Sequence, residues 1–154
     1  MEIVVVAVGR LRPYYREAAD DYQHRLARYA SVREVSVREA SRAPTVDVQR
    51  AQEADALRRK LPPRHTLVAL SREGDAWTSR DVASRLERWL EQGKGLAFAL
   101  GGSSGLAPTF SDQAAFRWSL GPLTLPHELA RVIVYEQLYR AFTILRGEKY
   151  HKGG

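Results

Sequence analysis

The chain has 154 residues, of which 44% are hydrophobic and 27% charged, with a formal net charge of +6. This composition suits one soluble domain over residues 1–154 with a single core, and its basic balance fits an acidic partner, nucleic acid first. Cysteine is absent, which excludes disulfides, thiolate metal sites and a thiol nucleophile, and so argues against pyrimidine C5 methylation through a covalent thiol adduct.

No apolar run approaches the roughly 18 residues of a membrane span. Met1-Glu2-Ile3 lacks the basic start of a signal peptide, and the expected location is the cytoplasm. Ile3 to Val8 is a short, Val-rich apolar run that reads as a buried central strand. Gly9 to Pro13 is its exit turn, where Arg10 and Arg12 could face RNA. Tyr14 to Tyr29 reads as a helix, with Ala18, Tyr22, Leu26 and Tyr29 at helical spacing. Val32 to Arg38 alternates valines with charged residues, as an edge strand does.

Ala40 to Val46 is a polar loop, and Asp47 is the expected N-cap of a helix reaching Lys60. His65 to Leu70 is a second buried strand, followed by a loop from Ser71 to Trp77. Thr78 or Ser79 caps a helix to Gln92, with Val82, Leu86, Trp89 and Leu90 on its apolar face. Leu96 to Leu100 is a third buried strand. A short helix starts near Pro108, and Phe116 to Leu120 is the last strand. Alternation of about five strands with helices predicts an α/β fold, its sheet mainly parallel and covered on both faces.

Gly101-Gly102-Ser103-Ser104-Gly105 follows a buried strand, at the carboxyl end where α/β ligands bind. It is neither a P-loop nor a dinucleotide fingerprint, and by itself it equally suits a tight turn. If the three strands ending at Leu70, Gly101 and Leu120 are neighbours, their exits form one pocket. Leu120 to Leu125 then supplies apolar side chains and backbone amides suited to adenine. A bulky residue at Gly101 is expected to block a ligand there and leave the fold intact. No metal-binding or Ser-His-Asp signature occurs.

The segment from Ser119 to Gly147 organises the rest. Pro126 fits the first turn of a helix running to about Arg146, and Gly147 terminates it. One arc collects Ala130, Val134, Tyr135, Leu138, Ala141, Phe142 and Leu145. The other mixes Leu129, Val132, Ile133, Tyr139 and Ile144 with Glu136 and Arg140, spaced as an ion pair. A helix apolar on both sides needs two partners, and the second is most simply another copy, giving a homodimer. His127 is the other candidate base, though a lone histidine at a helix start reads more readily as a structural hydrogen-bond partner. His24 and His65 have no constellation around them, and His65 reads as structural.

SLGPLTLPH and EQLYRAFTILRGEKYHK, together with VAVGRLR at the start, resemble the SPOUT-class methyltransferases that modify a large-subunit ribosomal RNA pseudouridine at ring nitrogen N3. The resemblance extends over the whole chain. It implies a C-terminal trefoil knot, and S-adenosylmethionine bound in a bent form by Leu70, Gly101 and the loop Leu120, Gly121, Pro122, Leu123, Thr124, Leu125. It implies that the terminal pair Tyr150 and His151 reaches the active site. Arg140 joins them as a catalytic candidate: its charge would favour the imide anion, or else contact RNA phosphate. His151 or water could take the N3 proton. The expected partner is ribosomal RNA within the assembled ribosome, with no membrane and no metal. A noncatalytic RNA-binding module, an enzyme using another nucleotide, and a SPOUT methyltransferase with another RNA target remain alternatives.

Overall fold

The run Ile3 to Val8 offers no polar face, and with Glu2 it forms the strand β1 (Glu2–Val8), buried from Ile3 onward. In the computed structural model, which describes residues 1–153, the two faces of β1 feed two separate cores where one was expected, because the sheet lies between two helical layers. Ile3, Val5 and Ala7 pack under one helical layer, and Val4, Val6 and Val8 under the other. The chain continues through α1 (Pro13–Leu26), β2 (Ser31–Val37), α2 (Val46–Lys60), β3 (His65–Ala76), α3 (Ser79–Gln92), β4 (Gly95–Leu100), α4 (Pro108–Ser111), β5 (Phe116–Ser119) and α5 (His127–Leu145). All strand pairs are parallel, in the order β2-β1-β4-β3-β5. Helices α1, α3 and α5 cover the first face, and α2 and α4 the second.

Several local signals act as their chemistry dictates. Thr78 and Asp81 form a reciprocal capping box at the start of α3, and Gly93 ends it in the left-handed region. Gly147 takes φ +65° just beyond α5. Trp77 stacks on Trp118 at 5.4 Å and anchors the entry of α3 to the sheet.

Four expectations are corrected. The cap of α2 is Thr45, whose hydroxyl accepts from Val48 N; Asp47 lies inside the first turn, where its charge suits the dipole. Residues 71–77 are not simply a loop: β3 bulges after Leu70 and returns to pair Asp75 and Ala76 with Trp118 and Ser119. Leu90 is 38% exposed and does not join the apolar face of α3. On α5, the second arc is less bare than its composition suggests. Val132 and Tyr139 are buried within the chain, leaving Leu129, Ile133 and Ile144 half-buried.

Candidate functional site

The register brings the three exits together. Ala69 pairs with Ala99, and Leu70 with Trp118, so Leu70, Gly101 and Leu120 sit at the same edge of the adjoining strands β4, β3 and β5. Arg72, just past Leu70, donates from Nη2 to Thr124 Oγ1 at 2.8 Å and ties the bulge of β3 to the loop after β5. Gly121 takes φ +114°, with nothing within 4 Å of where a side chain would point. Leu123 is 76% exposed and is the barest large apolar side chain of the described residues. An open glycine backbone flanked by unsatisfied apolar side chains fits a flat heterocycle such as adenine, so the residues present fit S-adenosylmethionine.

Gly101 is glycine for a different reason from the one expected. A Cβ there would lie 2.4 Å from Gly105 C and 2.7 Å from Leu106 N. The space beside it is filled by the loop's own backbone, so a bulky substitution disrupts the loop itself and does not merely crowd a ligand.

That loop is braced from α2. Arg50 Nε donates to Ser104 O at 2.6 Å, and Ser104 Oγ donates to Gln49 Oε1 at 3.3 Å. Glu53, 3% exposed, accepts from Ala40 N at 2.9 Å and from Gln49 Nε2 at 3.2 Å. Sequence reading missed these groups, because nothing in a polar helix distinguishes the residues that face a loop fifty positions away.

The terminal residues form a second cluster on α5. Arg140 Nη2 meets Glu136 Oε2 at 2.7 Å, as the spacing predicts. Tyr150 OH donates to the same Glu136 oxygen at 2.8 Å, and Arg140 lies 4.8 Å from the centre of the Tyr150 ring. Burial first, and then the hydrogen bond to Glu136, push the Tyr150 phenol well above its ordinary range, so it stays a donor. The hydrogen bond to Glu136 raises Arg140 further. Arg140 Nη1 lies 3.0 Å from His151 Nδ1. A guanidinium has only donors, so Nδ1 accepts and the neutral ring carries its proton on Nε2. Tyr29 OH, donating to Glu148 at 2.8 Å, holds the tail against the turn that follows α1. The structure therefore unites Arg140, Tyr150 and His151. It sets Arg140 more than three turns down α5 from the cofactor loops, roughly 20 Å along the axis at the usual rise.

A third polar cluster locks α5 to the sheet. Arg131 is almost wholly buried and donates to Val8 O at 3.1 Å and Gly9 O at 2.9 Å. Glu34, on edge strand β2, faces inward and accepts from Arg16 at 2.6 Å, Tyr135 at 2.6 Å and Arg131 at 3.4 Å. Burial alone would raise the Glu34 carboxyl. The bonds from Arg16 and Tyr135 and the charge of Arg131 outweigh it and hold the group below its ordinary value. Burial lowers Arg131, with Glu34 opposing, and burial raises Tyr135.

Arg12 donates to Glu128 from its backbone N at 2.6 Å and from its guanidinium at 3.1 Å, while its side chain stays 64% exposed. His65 bonds Glu2 and the Pro63 carbonyl, a structural role. The His127 side chain makes no hydrogen bond among the described residues, so the structural partner expected for it is not there. No group of three or more metal-ligating side chains occurs among the described residues, and no helix is long and apolar enough to cross a membrane.

Residues 1–151 match the family model described as "Predicted SPOUT methyltransferase". A ribosomal RNA large subunit methyltransferase H from Anaeromyxobacter sp. (strain Fw109-5) is 46% identical over 99% of this chain and 100% of its own length. The protein of that name from Rubrobacter xylanophilus is 47% identical over 96% of each. Among solved structures, a probable methyltransferase from Bordetella pertussis Tohama I aligns with a TM-score of 0.55 at 16% identity, over 90% of this chain and 95% of that one. A probable methylase family protein from Haemophilus influenzae Rd KW20 aligns at 0.53 and 12% identity, over 99% of this chain and 70% of that one. At such identities the solved structures speak for the fold.

Proposed function

The chain belongs to the SPOUT methyltransferase family, and from that membership we propose that it methylates N3 of pseudouridine 1915 in large-subunit ribosomal RNA. S-adenosylmethionine, the proposed cofactor, supplies an electrophilic methyl group on sulfonium. The observation that carries the reading is the convergence of the Leu70, Gly101 and Leu120–Leu125 exits on one sheet edge, with Arg72 joining two of them.

The chain's own residues supply position and charge. Backbone and apolar side chains of Leu120, Gly121, Pro122, Leu123, Thr124 and Leu125 bind the cofactor, with Leu70 and Gly101 as the opposite wall. Tyr150 offers an aromatic face for the base, held by Glu136. Arg140 stabilises the anion left when N3 loses its proton. His151, with Nδ1 accepting from Arg140, offers Nε2–H as a donor, and on this reading water takes the N3 proton. Correct alignment of nitrogen and methyl contributes on the order of 7–11 kcal/mol.

The distance along α5 favours a site shared between two copies, the tail of one meeting the loops of the other. Leu129, Ile133 and Ile144 remain as the apolar surface for such a homodimer. The reading also includes the family's C-terminal knot, the assembled ribosome as substrate, and the cytoplasm as location. The first test is titration with S-adenosylhomocysteine, followed by methylation of ribosomal particles; no binding to folded protein refutes the assignment. The shared site is tested by exchange between two inactive proteins. One lacks Tyr150 onward. The other carries a Leu120–Leu125 loop variant that has lost S-adenosylhomocysteine binding at unchanged melting temperature. Random pairing should restore roughly a quarter of wild-type activity, and no recovery after verified exchange means that the tail acts in cis.

A further inference from the structure

Next to the Gly101–Gly105 loop, but outside the set of strand exits, residues 38–44 and Gln52 line an open cleft of about 550 Å3. The cleft is built from the interior outward. The buried Glu53 carboxylate fixes its floor by accepting from Ala40 N at 2.9 Å and from Gln49 at 3.2 Å. Glu39, the one acid among the described residues that line it, is turned to the side, accepting from Ser103 Oγ at 3.0 Å, and Glu53 lies buried beneath. The cleft and the cofactor loop therefore share a wall.

The charge left facing solvent is positive. Arg38 and Arg42 are exposed and form no ion pair among the described residues. Arg25, Arg58 and Arg117 are paired with Asp21, Asp55 and Asp112, whereas Arg10, Arg59, Arg64 and Arg88 are exposed and outside any ion pair among the described residues; what sets Arg38 and Arg42 apart is that they line one cleft together. The lining is mostly polar and the cleft is open, which suits a hydrated polyanion and not an enclosed apolar ligand.

We propose that this cleft holds the sugar–phosphate backbone of the substrate RNA alongside the target nucleotide, with Arg38 and Arg42 each neutralising a phosphate. Such contacts set register and carry no sequence information. The proposal rests on the methyltransferase reading, and its test separates the two.

Arg38→Ala/Arg42→Ala, Arg38→Lys/Arg42→Lys and wild type are compared for melting temperature, S-adenosylhomocysteine affinity, and affinity for ribosomal particles across a salt series. The Ala pair should keep the first two and lose about two phosphates' worth of salt dependence, a slope shallower by roughly 1.4–1.8. Its KM for ribosomal particles should rise at least tenfold with kcat unchanged at saturation. The Lys pair should retain the wild-type slope. An unchanged slope in the folded Ala pair overturns the proposal. So does weakened S-adenosylhomocysteine binding, which would make the cleft part of the cofactor site. If wild type binds particles through this cleft but binds no S-adenosylhomocysteine, the cleft stands and the methyltransferase reading falls.

Discussion

Replacing Glu34 by Gln tests whether the buried polar cluster is a structural lock. Among the described residues, Glu34 is the only carboxylate paired with Arg131, whose side chain is 2% exposed. The amide removes the counter-charge but keeps the shape, leaving a guanidinium buried against the Val8 and Gly9 carbonyls alone. Breaking a buried pair from one side costs about 3–5 kcal/mol. Arg16, 35% exposed and also paired with Asp20, can turn to solvent and adds little. For a chain of this length, about 3 kcal/mol lowers the melting temperature by roughly 6–12 °C. The pH dependence has a definite sign. Because the folded-state pKa of Glu34 is held below the ordinary 4.5, its contribution is complete above that value. It is lost as pH falls through the folded-state pKa. Calorimetry of both proteins from pH 7 to pH 3 should therefore show a gap that narrows on acidification. A second variant, Glu34→Gln/Arg131→Met, should recover part of the loss. A neutral-pH gap under about 2 °C, or one that does not narrow, would refute the lock.

Gly101→Ala should lower both melting temperature and S-adenosylhomocysteine affinity, since its Cβ meets backbone at 2.4 Å; a stable protein with normal affinity contradicts this packing. Arg50→Ala removes the 2.6 Å brace on Ser104 O. A charged hydrogen bond of about 1.5–3 kcal/mol predicts at least tenfold weaker S-adenosylhomocysteine binding by calorimetric titration; unchanged affinity shows that the brace is idle. Tyr150→Phe and Glu136→Gln should leave cofactor affinity alone and slow single-turnover methylation by about 10²-fold. If either variant instead alters cofactor affinity at unchanged turnover, the cluster belongs to the other half of the site.

What the sequence determined by itself was local. The apolar run Ile3 to Val8, the capping pair Thr78 and Asp81, the Glu136–Arg140 spacing and the terminator Gly147 each act within a few residues. Their physics is legible without knowing what lies opposite. The glycine-rich turn and the Leu120–Leu125 loop were visible as candidates for the same reason, and the family resemblance carried their assignment further. Tertiary structure decided whatever depends on which strand lies beside which. Glu34 reads as a solvent-facing charge on an edge strand until α1 and α5 cover it with Arg16, Tyr135 and Arg131. Arg131 finds its carbonyl partners 123 and 122 positions away. Gly101 reads as room for a ligand until Gly105 folds back into the space. Burial makes such polar contacts strong by excluding water. Burial is a property of the assembled layers, so no local pattern along the chain could announce it.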